Sequence, residues 1–280
     1  KNSNFRGEVY PSLEDKIKNN KLYSKNTEKV IPFIDEAIFS LEKEQIPRWN
    51  KFLQGYYDNS GIASDNYDQA VSLNSSGDIT LTDELKEKGI HLSMATAAST
   101  YYIGFNMLDG IVGGKSNRAK HLRQAITLAI DYEEYISIFA NGRGIVAQSP
   151  IPPGIFGYQD GIKKYNKTAY ELKNKRIIKK NIEKAKILMG KAGYANGIDQ
   201  ENGKPLILYF EATGSGADTY SFLNWLRKQF KKINIQLVTR VTDYNRFQEK
   251  MINGTGQIFQ WGWNADYPDP ENFLFLLYSK

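Results

Sequence analysis

Residues 206–211 (LILYFE), 219–230 (TYSFLNWLRKQF) and 233–241 (INIQLVTRV) decide the fold class. The first run is short, apolar and aromatic, and reads as a strand. The second places Phe222, Leu223, Leu226 and Phe230 on one helical face, and the third alternates like a further strand. This is β-α-β order. Downstream, residues 244–252 form another helix, Gly254 and Gly256 turn the chain, and 257–263 return as a strand. Asp269 then caps a last helix, with Pro270 in its first turn and Glu271 near the positive helix end.

Upstream, Asn117 is a candidate N-cap for a helix whose stripe is Ala119, Leu122, Ala125, Ile126, Ala129 and Ile130, ending near Asp131. A second helix is expected over 133–140, and a strand over 100–107 (TYYIGFNM). Residues 149–154 (SPIPPG) form a rigid connector, since prolines there exclude a helix or central strand. Further back, 37–41 is a strand candidate, and a short helix runs from Pro47 through Leu53 until Gly55 stops it. Alternating strands and helices indicate an α/β fold with a mixed or parallel sheet covered by helices.

The chain has 280 residues, 41% hydrophobic and 24% charged, enough for a sizeable core. No apolar run approaches the ~20 residues that span a bilayer, and no targeting pattern opens the chain, so a soluble protein is expected. The absence of Cys excludes disulfides, thiolate catalysis and thiolate metal sites. Net charge is +6, but residues 163–191 hold eleven Lys or Arg against two Glu, so the remainder sums to −3. Within that stretch Ile178, Ile182, Ala185, Met189 and Ala192 fall at helical spacing, and the charges between them fit the wet face of an amphipathic helix. A basic interaction module that binds anionic polymers is the rival reading.

Catalytic patterns are sparse. His91 and His121 sit thirty residues apart in no metal or nucleophile motif, and adjacent carboxylates such as Glu133 and Glu134 point in different directions on a helix. Gly214-Ser215-Gly216 lacks the full phosphate-loop spacing and reads as a tight strand-to-helix turn. The informative segment is 257–273 (QIFQWGWNADYPDPENF). In a strand, Phe259, Trp261 and Trp263 share one face, while Ile258, Gln260 and Gly262 share the other. That aromatic plate is either core or one wall of a cleft. Asp266 is either a turn residue or a carboxylate at the mouth of that cleft, able to neutralise a ligand ammonium.

Residues 262–274 (GWNADYPDPENFL) resemble the signature of the oligopeptide/dipeptide-binding (peptide/nickel-type) family of ABC transporter extracellular solute-binding proteins. Other blocks resemble the same family in the same order: 2–7 (NSNFRG), 55–58 (GYYD), 102–106 (YIGFN), Arg123-Gln124-Ala125, Ala129-Ile130-Asp131, 150–157 and 183–194 (EKAKILMGKAGY). The resemblance implies an α/β, periplasmic-binding-protein-like lobe with a mixed sheet flanked by helices. It would occupy 1–280 of a two-lobed receptor, with a possible subdivision near 150–160 and with the N-terminal lobe and C-terminal return absent. The function implied is the substrate-binding component of an ABC transporter, capturing short peptides by hinge closure. It would be a monomer, not an enzyme, with a permease as partner, no nucleic acid, no cofactor and no metal. The parent would be exported, periplasmic or on the extracellular face of the cytoplasmic membrane, free or lipid-anchored. The family pattern gives Asp266 to the ligand ammonium and makes Trp263 and Tyr267 walls; Trp261 and Gln260 complete the ligand-binding set. Gln260 stands where oligopeptide-binding relatives often carry Arg, which leaves ligand length and charge open. A nickel complex, haem or oligosaccharide is the alternative solute within the family.

Overall fold

The computed structural model describes residues 7, 29–73, 78–159, 161 and 164–278. Its helices are α1 (Gln45–Leu53), α2 (Tyr67–Ala70), α3 (Asp83–Glu87), α4 (Asn117–Ala129), α5 (Tyr132–Phe139), α6 (Ile182–Lys191), α7 (Ala217–Lys231), α8 (Tyr244–Ile252) and α9 (Glu271–Leu274). Its strands are β1 (Val71–Leu73), β2 (Ile79–Leu81), β3 (Ser99–Phe105), β4 (Tyr170–Lys173), β5 (Arg176–Lys179), β6 (Ile207–Thr213), β7 (Gln236–Thr242) and β8 (Ile258–Asn264).

The central sheet runs β3-β8-β6-β7. β6 is parallel to both β7 and β8, whereas β3 is antiparallel to β8, so the sheet is mixed. The expected β-α-β unit is β6-α7-β7. The main core lies on one face of this sheet, where Leu208, Phe210 and Ile258 meet Leu122 and Ile126 of α4, Met189 of α6, and Leu223, Leu226 and Phe230 of α7. A separate apolar cluster gathers Trp49, Ala63, Ala70, Leu81 and Leu85 around the β1–β2 hairpin.

Helix ends follow short polar side chains. The α4 cap is Ser116 in place of Asn117: its hydroxyl accepts from Ala119 N at 3.2 Å, and Asn117 becomes the first helical residue. Asp131 lies beyond the end of that helix and caps the next one, accepting from Glu134 N at 3.1 Å. The connector 149–154 is turn and bend, and the Pro150 carbonyl accepts from the Thr100 hydroxyl at 2.9 Å.

Two further expectations fail. Residues 37–41 form no strand; Phe39 is 95% exposed, with Ile38 and Leu41 also in solvent. An apolar run becomes a strand only where a neighbour takes up its backbone hydrogen bonds, and no described strand lies beside this one. The basic stretch is only partly helical, because Ile178 belongs to β5 of a hairpin and α6 begins at Ile182. Asn174 and Lys175 both take positive φ (51° and 59°), the backbone of a two-residue primed turn, so the strand period replaces the helical one there. Ala185, Met189 and Ala192 are buried as expected.

Candidate functional site

Strand pairing fixes what faces where at the C-terminal end of β8. Phe259, Trp261 and Trp263 lie opposite Gly104, Tyr102 and Thr100 of β3, on the face away from the main core. Ile258 and Gln260 lie opposite Phe105 and Ile103, which pack against that core. The aromatic plate is half-buried: α8 covers one end, with Phe247 edge-on to Trp261 at 5.3 Å, and the segment after α9 covers the other, with Phe275 edge-on to Trp263 at 5.2 Å. Gly104 makes room for it, since an added Cβ would lie 2.5 Å from the Phe259 ring. Burial pushes the Tyr102 hydroxyl, on the residue paired with Trp261, above its ordinary pKa.

On the same face Glu211 is 1% exposed and meets Lys250 of α8 at 2.5 Å and Arg240 of β7 at 3.4 Å. The two cations balance the charge of a carboxylate that would otherwise be costly to bury, and they tie α8 across the sheet. Arg240 also stacks 4.0 Å over the Tyr209 ring.

Past the strand end, Ala265 N bonds back to Ala98 O at 2.9 Å, and the chain turns through Asp266. Asp269 caps the following turn by accepting from Glu271 N at 2.8 Å, the role expected of it. That turn brings Asn272 underneath Asp266. Asn272 Oδ1 accepts from Trp263 Nε1 at 2.8 Å and from Asp266 N at 3.0 Å, and its Nδ2 lies 3.4 Å from Asp266 Oδ2. Asp266 itself is exposed and, among the described residues, has no cationic partner. Its neighbour Tyr267 is 47% exposed.

Among the proposed site residues, the structure links Trp263 and Asp266 through Asn272 and leaves Tyr267 open beside them. Trp261 belongs to the plate but is held by Phe247, and Gln260 is on the opposite face. Asn272 and Glu211 escaped the sequence reading; an Asn after Asp-Pro-Glu looks like a turn residue, and nothing local marks it as buried. Among the described residues, no group of three His, Cys, Asp or Glu side chains is placed to hold a metal. The Gly214-Ser215-Gly216 turn is tight: a Cβ on Gly214 would press on the Thr219 side chain.

The fold is of the periplasmic-binding-protein type, a mixed sheet flanked by helices, with aromatic rings and an exposed carboxylate at one strand end. The chain belongs to the bacterial extracellular solute-binding proteins, family 5, whose middle-region model matches residues 15–280. It is 23% identical over 252 residues to the dipeptide-binding protein of Escherichia coli, covering 89% of this chain and 40% of that one. It is 29% identical over 156 residues to heme-binding protein A of Haemophilus influenzae, covering 55% of this chain and 25% of the relative. It thus spans well under half the length of these relatives. Among solved structures, the E. coli murein tripeptide binding protein MppA superposes with a TM-score of 0.60 at 18% identity, over 82% of this chain and 39% of that one. DppA from Helicobacter pylori in complex with the peptide STSA gives 0.57 at 20%, over 82% and 37%. These likenesses bear on the fold alone.

Proposed function

We propose that this chain is one lobe of a two-lobed receptor that captures short peptides for an ABC transporter permease and performs no catalysis. The observation carrying the reading is the Asp266 carboxylate: exposed, without a cationic partner among the described residues, linked through Asn272 to the Trp263 indole, and followed in the chain by the exposed Tyr267. The dipeptide-binding, oligopeptide-binding and di/tripeptide-binding names among its relatives support the same substrate class. In this reading Asp266 meets the peptide's terminal ammonium and the two aromatic side chains wall the site, with Trp261 further along the same face of the strand; Gln260, on the opposite face, takes no part in it.

Electrostatic magnitudes support hinge closure. A carboxylate and an ammonium 4 Å apart attract by about 1 kcal/mol in bulk water and about 4 kcal/mol at an effective dielectric near 20. An exposed Asp266 is therefore a weak anchor until a second surface excludes water around it, which is what closing lobes would supply. The parent protein works outside the cytoplasmic membrane as a monomer, free or lipid-anchored, in this account. Mass spectrometry of the ligand retained by the intact protein tests the substrate class: amine-terminated short peptides are expected, and a haem, sugar or metal chelate in their place refutes it. Haem is the specific competitor, because the heme-binding relative has the higher identity over its shorter match.

A further inference from the structure

We infer that Asn272 is the positioning residue of the ammonium site, locking anchor and wall into one unit; the inference rests on the reading of Asp266 above. The amide's orientation follows from chemistry. Trp263 Nε1 and Asp266 N are donors only, so the atom 2.8 and 3.0 Å from them must be the amide oxygen, and both its lone pairs are engaged. The NH2 end then has to face Asp266 Oδ2, at 3.4 Å. One side chain, 3% exposed, thereby fixes the indole, the backbone at Asp266 and the direction of its carboxylate.

Its own placement is fixed in turn. Asp269 closes the turn that carries it, with its side chain on Glu271 N and its carbonyl accepting from Asn272 N at 3.1 Å, and the adjacent Phe273 is 1% exposed. Asn272 touches no ligand in this scheme. It aims a carboxylate whose second oxygen is left to the ligand, and it spares that carboxylate the rotamer search that an exposed Asp would otherwise make on binding.

Only a donor on the NH2 side satisfies the scheme, and this separates positioning from packing. N272D preserves shape and still accepts from Trp263 and Asp266 N, but sets a second carboxylate against Asp266. Like charges at that distance favour a shared proton. Acidification therefore restores a donor, an O–H in place of N–H, and binding by N272D should recover as pH falls, whereas N272A should not recover.

The test uses the intact protein and two pools of di- to pentapeptides, one with free amino termini and one N-acetylated, with retained peptide measured across pH. The wild type should prefer the free-amine pool, and D266N should abolish that preference. N272A should lower it roughly ten- to a hundredfold, the range for losing a hydrogen bond to a charged group. N272D should lower it similarly at neutral pH and regain it in acid. If D266N removes the preference while N272A and N272D keep it at every pH, the positioning role is refuted and the ammonium reading survives. If the wild type and D266N do not differ, both fall together.

Discussion

Gly197 offers a sharp test of how the sheet is entered. It closes the turn before β6 with φ +76°, donates to Tyr194 O at 2.9 Å and accepts from Leu206 N at 2.7 Å. An added Cβ would fall well inside the contact distance of the Asn234 carbonyl oxygen and 2.8 Å from its carbon. Both obstacles are backbone, held by the turn that leads into β7. Gly197→Ala therefore meets two costs: about 1–2 kcal/mol for a left-handed conformation and about 1–3 kcal/mol for the overlap. Gly203→Ala is the control, with φ +72° and nothing within 4 Å, so it carries the first cost alone. Urea unfolding at constant m-value should give a loss of roughly 2–5 kcal/mol at Gly197 against about 1–2 kcal/mol at Gly203. Equal losses at the two sites would refute the claim that close approach of the turns, and not backbone conformation alone, requires glycine at 197.

Two further outcomes follow from local geometry. Lys175→Gly should stabilise the β4–β5 hairpin by about 0.5–1 kcal/mol, since glycine suits the second position of a primed turn; a lower unfolding midpoint would contradict the turn assignment. At Asp199, the Glu201 backbone N–H, and with it the Arg118 guanidinium, holds the carboxyl below its usual pKa. Its stabilising contribution is therefore present above about pH 4 and lost as pH falls through the lower folded value. Asp199→Asn should be less stable than wild type at neutral pH, with the gap closing in acid; a gap that persisted unchanged to pH 2 would contradict this linkage.

Much of the architecture was legible because periodicity and caps agreed. The runs at 206–211 and 233–241, and the Phe222–Leu226–Phe230 stripe between them, are locally unambiguous. α8 follows an Asp243 whose side chain accepts from Arg246 N at 3.0 Å. Failures came where a partner decides the outcome. The apolar run 37–41 looks like a strand to itself, yet strands exist only in pairs, and Ile178 matched a helical stripe by chance while a positive-φ turn built from Asn-Lys, not Asn-Gly, hid the hairpin. At the site, Asp266 and Trp263 stood out by type, but their common link through Asn272 depends on a turn that folds six residues back under the strand end.

A single titration addresses the central claim most directly: the affinity of the intact protein, wild type and Asp266→Asn, for a free-amine peptide and its N-acetylated twin. The account predicts that the substitution weakens the free-amine peptide by tenfold or more and leaves the capped one unaffected. Equal affinity of both proteins for the free-amine peptide would contradict it.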